Sequence, residues 1–315
     1  MSYPPCPHTR TSKLPKPRPR VISASKRTDI PAFYMDWVVE RFQAGWVDVP
    51  NSMFRYASDP LKRLIHVSLK PEHVIAIVWW SKNYEHYERC HWAFASYKQF
   101  FQFTINPRRP DLAWLEPDLP PLEEALRQAR FLASLPGGPG MVAWRYDPIC
   151  FWREGSALHT SWDAEFFERV CRELSAMGIH CCFTSVADLY GKYMQRVRRF
   201  YPAKEPVEPN DGELWPTADE MAGIARRYGM RLFTCCEPRL AQRPGFSKGA
   251  CIDGNLLGAT TAAATDRKMR GREECGCTKH TDIGDYEKHE CGYSCLYCYA
   301  NPNHGRFVQE VADAP

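Results

Sequence analysis

From Val21 to Glu237 the chain alternates short β-branched or aromatic runs with stretches at helical spacing, and few folds accept that alternation. The apolar runs are Val21-Ile22, Leu64 to Leu69, Val74 to Trp80, Phe100 to Ile105, Met141 to Trp144, His180 to Val186 and Met230 to Cys235. Between them Leu122, Leu126, Ala129 and Leu132 repeat at helical spacing, as do Phe166, Phe167, Val170, Leu174 and Met177. Thr217-Ala218-Asp219-Glu220 reads as a capping box, with Gly229 closing the helix it opens. Repeated strand–helix units predict an α/β protein with a mostly parallel sheet buried on both faces. About seven strands suit a full or partial (β/α) TIM-like barrel, and a doubly wound open sheet is the other arrangement. No Gly-x-Gly-x-x-Gly follows a strand, so a dinucleotide site is not indicated. Gly137-Gly138-Pro139-Gly140 precedes a strand, the wrong side for a phosphate loop.

Both architectures bind ligands beyond the carboxyl ends of their strands, and those ends are polar here. The first is followed by Ser23, Ser25, Lys26, Arg27, Thr28 and Asp29. Later strands end in Ser81, Lys82 and Asn83, in Gln102, Thr104 and Asn106, and in Arg145 and Asp147. The last two contribute Thr184, Ser185 and Asp188, then Cys235 and Glu237. Any one of these is ordinary loop chemistry, but the repetition at strand after strand predicts a common mouth. Arg27, Asp29, Lys82, Arg145, Asp147 and Asp188 are the candidate catalytic groups. Ser25, Lys26, Asn83, Thr104, Ser185 and Tyr297 are candidate cofactor contacts. Lys and Arg suit an anionic group, and Asp suits ribose hydroxyls or proton transfer. Arg145 with Asp147 reads equally as a structural ion pair or a substrate clamp.

Fourteen cysteines is a high count for 315 residues, and they concentrate between Cys235 and Cys298. In a reducing compartment such clusters point to metal ligation rather than disulfides. Cys291, Cys295 and Cys298 are spaced so that three thiolates can face one point from a tight loop, with Gly292 relaxing the turn. Three ligands leave one iron of a four-iron cluster open. A structural zinc is the alternative, with His289 or His304 as its fourth ligand. Upstream, Cys235 or Cys236 with Cys251, Cys275 and Cys277 makes a second thiol group, suited to another 4Fe–4S cluster or to zinc. Cys171, Cys181 and Cys182 read as core residues, and Cys6 falls in the N-terminal arm.

Charge and hydropathy exclude little else. The net charge of +4 neither demands nor excludes a polyanionic partner. No apolar run approaches the ~18 residues of a membrane span. The N-terminus lacks an apolar signal core, so a cytoplasmic protein without a membrane partner is expected. Residues 1–20 read as a basic, proline-rich disordered arm with Arg10, Lys13, Lys16, Arg18 and Arg20. Residues 21–238 read as the barrel-like domain, 239–301 as a cysteine-rich metal region and 302–315 as a tail.

The loop Cys291-Gly292-Tyr293-Ser294-Cys295-Leu296-Tyr297-Cys298 is similar to the radical S-adenosylmethionine (SAM) signature Cys-x3-Cys-x-aromatic-Cys, with Tyr297 at the aromatic place. From Val21 to Asn301 the chain also resembles a bacterial family described as domain of unknown function 1848. Ile22 to Tyr34, Trp80-Ser81-Lys82-Asn83, Gln102-Phe103-Thr104 and Trp144-Arg145-Tyr146-Asp147-Pro148 carry that resemblance. So do Ser185 to Tyr190, Gly249 to Gly254, Cys275-Gly276-Cys277 and Cys291 to Asn301. Members are often labelled radical-SAM-like or DNA-repair-photolyase-like. The resemblance implies a radical SAM-like oxidoreductase or lyase carrying a 4Fe–4S cluster and S-adenosylmethionine, fed by an electron donor such as flavodoxin or ferredoxin. Its substrate would be a small molecule or nucleic-acid-derived. Ordinary radical SAM enzymes carry the three-cysteine loop after the first barrel strand, whereas here it follows the last, and no Gly-Gly-Glu string accompanies it. The alternatives are a nucleic-acid repair or modification enzyme, motivated by the basic arm and 13% aromatic content, and a zinc- or cluster-bearing binding or sensing protein.

Overall fold

Eight strands form one all-parallel sheet in a computed structural model that describes residues 19–51, 54, 56–259 and 275–300. The strands are β1 (Arg20–Ala24), β2 (Val74–Ser81), β3 (Gln99–Thr104), β4 (Val142–Ile149), β5 (Cys181–Val186), β6 (Arg231–Thr234), β7 (Phe246–Lys248) and β8 (His280–Asp282). Their order is β7-β6-β5-β4-β3-β2-β1-β8. Each strand from β1 to β7 thus lies beside the next in sequence, as in a barrel. Among the described residues no ladder joins β7 to β8, so the sheet is a large parallel α/β sheet with two edges. Both edge strands come from the cysteine-rich region. The N-terminal arm, Cys6, Asn301, His304 and the tail lie outside the described residues, apart from Pro19 and Arg20.

Period-two alternation divides the sheet's side chains. Ile22, Ile77, Trp79, Phe101, Phe103, Trp144, Cys182 and Leu232 point to the helical side, where the main core forms. The helices packed there include α1 (Met35–Ala44), α2 (Glu85–Cys90), α3 (Leu122–Ser134), α4 (Ala164–Ala176) and, further along the chain, α6 (Asp211–Arg227). Cys171 is buried in that core. Val21, Ala76, Val78, Phe100, Ala143 and Phe183 point the other way. The segment after β7 closes over them with Cys251, Ile252, Leu257 and Ala259. Gly249 permits that approach, because a Cβ there would lie 2.7 Å from atoms of both Phe183 and Phe233.

Two local expectations change. Leu64–Ser68 pairs antiparallel with Trp46–Pro50, outside the main sheet. Only a short link separates it from Val74, whereas a parallel crossover needs a dozen residues or more. Thr217 is buried within α6 instead of opening it. Asn210 and Glu213 form the actual capping box, with Glu213 N donating to Asn210 Oδ1 at 3.2 Å and Asn210 N donating to Glu213 Oε2 at 2.9 Å. Pro216 is carried inside the helix, at the loss of one backbone hydrogen bond. Gly229, in the left-handed region at φ 64°, follows its end as expected.

Candidate functional site

The inward-facing positions at the carboxyl ends of β1 to β6 line a single cavity of about 670 Å³. That is within the range of small-molecule sites, roughly 300–1,000 Å³. Ser25, Lys26, Arg27 and Asp29 line it beyond β1, Lys82 beyond β2, and Thr104 at the end of β3. Arg145, Asp147, Ser185, Asp188 and Glu237 line it on the far side. Cys235, Cys236 and Cys251 reach it from one direction, and Cys291, Cys295, Tyr297 and Cys298 from the other. Of the candidates named from the sequence, Asn83 departs. Its Oδ1 accepts from Glu85 N at 2.9 Å and Gln128 Nε2 at 2.7 Å, so it caps the start of α2 rather than facing the cavity.

Lys82 meets a carboxylate that the sequence reading missed. Glu116 Oε1 lies 2.5 Å from Lys82 Nζ and also accepts the Tyr297 hydroxyl, while Glu116 Oε2 accepts from Asn106 Nδ2 at 2.9 Å. Lys82 Nζ donates to the Tyr297 oxygen at 3.2 Å. Burial opposes the Lys82 charge, but Glu116 and then Cys295 overcome it and hold the ammonium above its ordinary range. Glu116 sits in the irregular segment between β3 and α3, where no periodic pattern marks it.

Asp29 ties the β1 end to the β2 end. It accepts from Ala32 N at 3.0 Å, Ser81 Oγ at 2.7 Å and Lys82 N at 2.8 Å. Burial pushes its carboxyl up to about 7 despite those bonds. Glu237, which accepts from Val186 N at 3.2 Å, is pushed up to about 8 by burial and then by Asp188.

Arg145 and Asp147 form a buried ion pair, and Ser185 Oγ donates to the other Asp147 oxygen at 2.5 Å. Arg145 also points Nη1 at Cys251 Sγ, 3.3 Å away, and lies over the Trp80 ring at 5.2 Å. Lys26 Nζ lies over the same ring, also at 5.2 Å. Burial works against the Arg145 charge, yet Asp147, Cys251 and Cys235 hold it well above its ordinary value.

Cys235 lies within hydrogen-bonding reach of Cys251, Cys275 and Cys277, and Cys277 within reach of Cys251 and Cys275. Four thiols from β6, the β7 loop and the approach to β8 therefore converge. Cys251 is held well below the usual thiol value by Cys235 and Cys277 and, against burial, by Arg145 and Lys26.

The second group follows β8, which pairs with β1 in register Val21–His280, Ile22–Thr281 and Ser23–Asp282. Asp282 fastens the two ends together, accepting from Ser23 Oγ at 2.9 Å, Ser25 Oγ at 2.6 Å and Lys26 N at 2.7 Å. The chain then returns over the cavity with Cys291, Cys295 and Cys298. The left-handed residue of this loop is Ser294 at φ 53°. Gly292 serves close packing instead, because a Cβ there would lie 2.9 Å from Phe33 Cζ. Burial pushes the Cys291 thiol up to about 12, with Asp29 adding to the effect. Burial raises Cys295 as well, partly offset by Lys82. Arg196 holds the end of the loop by donating to the carbonyls of Leu296 at 3.1 Å and Ala300 at 3.0 Å. His289 is committed elsewhere. Its Nδ1 accepts from Asp285 N at 3.2 Å, and its ring packs on Trp37 and Tyr34 with centroids 4.2 and 4.8 Å apart.

Among the described residues no group of three or more His, Cys, Asp or Glu side chains is placed so that it could hold a metal ion. The donor chemistry nonetheless suits a thiolate-held group: each set is wholly cysteine, and Lys82, Arg145 and Lys26 stand near the sulfurs to offset negative charge.

Fold and site together define a parallel α/β protein with a pocket lined by charged side chains and thiols at the carboxyl ends of its strands. The chain belongs to the family described as Domain of unknown function (DUF1848), whose match spans residues 21–300. No curated protein and no solved structure matches it.

Proposed function

We propose that the protein is a radical SAM-like iron–sulfur enzyme, with Cys291, Cys295 and Cys298 holding a 4Fe–4S cluster at the mouth of a partial (β/α) barrel. Cys235, Cys251, Cys275 and Cys277 hold a second cluster or a zinc ion. The observation that carries this reading is the pairing of β8 with β1. It delivers a C-terminal cysteine loop to the end of the first strand, the place such a loop occupies in ordinary radical SAM enzymes. A 4Fe–4S cluster held by Cys291, Cys295 and Cys298 would supply one-electron reduction of S-adenosylmethionine.

The chain's own residues supply binding and charge. Lys82, fixed by Glu116, sets a positive charge beside Cys295. Arg145, fixed by Asp147, does the same for Cys251. Lys26 and Arg27 line the cavity without a carboxylate partner among the described residues, and suit the carboxylate of SAM or an anionic substrate. Glu237, protonated near neutral pH, is a candidate proton donor facing the same space. No helix among the described residues is long and apolar enough to cross a membrane, and an electron donor met in the cytoplasm fits the reaction.

The test is anaerobic purification with assay of iron, sulfide and zinc, followed by electron paramagnetic resonance of the reduced protein with and without SAM. Four or more irons, a signal that SAM perturbs, and release of 5′-deoxyadenosine are expected. Zinc without iron, or a signal indifferent to SAM, overturns the reading.

A further inference from the structure

Helix α5 (Gly191–Phe200) carries Lys192, Arg196, Arg198 and Arg199 and no acidic residue. Its apolar stripe, Tyr193 and Val197, packs in the cluster that contains Leu296 and Tyr297. Arg196 joins the helix to the cysteine loop through the carbonyls of Leu296, Cys298 and Ala300. One side of α5 is thereby fastened directly to the segment bearing Cys298.

The other side faces solvent. Lys192, Arg198 and Arg199 are exposed. At the N-terminal end of the helix Leu189 and Tyr299 are 37% and 36% exposed, and the Tyr299 ring meets that of Tyr190 at 6.0 Å. The result is a small apolar centre with a basic flank, next to the mouth of the cavity. A protein interface combines a desolvated apolar centre with a charged rim that steers encounter. A nucleic-acid track instead runs basic groups along successive phosphates. A partner seated on the exposed side of α5 would be separated from the Cys298 segment by the helix whose Arg196 holds that segment.

We propose that the exposed side of α5, with Leu189 and Tyr299, is the docking surface for an acidic one-electron carrier protein. This rests on the iron–sulfur reading above. In the step it serves, the reduced carrier loses one electron and the cluster gains one, with no bond made or broken.

The test uses the full chain, purified without oxygen and assayed for iron, with a bacterial flavodoxin as the probe. Binding is measured by calorimetry at low and high salt for the native chain, for R198E/R199E and for R198K/R199K. The reversal variant is expected to bind about tenfold more weakly or worse, and the Lys variant to bind as the native chain does, with salt weakening both. Iron content and reduction by dithionite should be equal in all three, while reduction by flavodoxin hydroquinone should slow in the reversal variant alone. Native-like binding by R198E/R199E, or no flavodoxin binding by the native chain, overturns the proposal. So does a single-stranded oligonucleotide that binds the native chain and is lost on reversal while flavodoxin binding is unaffected. Absence of iron is a separate result, and it refutes the reading on which the proposal rests.

Discussion

Glu116→Gln is the substitution whose consequence the structure determines most directly. The Glu116 and Lys82 side chains are 9% and 13% exposed, so water does little to screen them. Removing the carboxylate leaves a buried ammonium facing an amide, and breaking a buried pair from one side costs about 3–5 kcal/mol. The amide still accepts one hydrogen bond, which places the expected loss near the lower figure, about 3 kcal/mol. With a urea m-value of about 3 kcal/mol/M, the unfolding midpoint should fall by about 1 M. Lys82→Met in the same background removes the stranded charge, so the double variant should be more stable than the sum of the two single losses by about 1–3 kcal/mol. Urea unfolding of the four proteins, followed by far-ultraviolet circular dichroism at constant pH, measures both quantities. A midpoint shift under about 0.3 M for Glu116→Gln, or strictly additive losses, refutes the view that this carboxylate is the anchor of Lys82. Because Glu116 also accepts the Tyr297 hydroxyl, iron retention should drop in the single variant even where it remains folded.

Three further substitutions separate the parts of the site. Cys298→Ser should lose most bound iron at the C-terminal loop with little change in circular dichroism, because Arg196 holds the backbone there through carbonyls and not through sulfur; metal analysis beside the spectrum decides. Gly249→Ala drives a methyl against Phe183 and Phe233 at 2.7 Å and should cost about 1–3 kcal/mol in urea unfolding. Gly292→Ala should cost about 1 kcal/mol through its clash with Phe33, and Phe33→Leu should recover most of that, which a left-handed backbone requirement at residue 292 would not allow.

The strands that are near-continuous apolar runs, such as Val74–Ser81 and Gln99–Thr104, were legible because both faces of a parallel strand are buried and apolar residues cannot be avoided there. The polar residues at their carboxyl ends were legible for the complementary reason: they interrupt that apolar run. β7 and β8 are three residues long, too short to register a period, and His280-Thr281-Asp282 has no apolar member. Glu116 and Arg196 act through tertiary contacts across 34 to 181 positions of sequence, so spacing carries no sign of either as a partner of the cysteine loop.

What spacing could not reveal bears on one of the two features at odds with the resemblance, the position of the cysteine loop. A cysteine loop after the last strand lies far in sequence from the first strand, but sheet order counts in space. Because β8 is parallel to β1 and adjacent to it, the loops leaving both strands emerge at the same end of the sheet. Asp282 then makes the junction specific: its carboxylate takes Ser23 Oγ, Ser25 Oγ and Lys26 N, which no loop leaving another strand could reach without breaking the β1–β8 register. Asp282→Ala should therefore act on both ends together. It takes away the acceptor for the buried Ser23 and Ser25 hydroxyl protons, whose oxygens still accept from Trp80 Nε1 at 3.1 Å and Arg27 N at 2.9 Å, at about 1–3 kcal/mol for each lost bond, and it frees the return of the chain toward Cys291. Hydrogen exchange is the discriminating measurement. Faster exchange at both the β1 end and residues 283–298 is expected, whereas a change confined to residues 280–284 would mean that the cysteine loop is held by Arg196 and Glu116 alone.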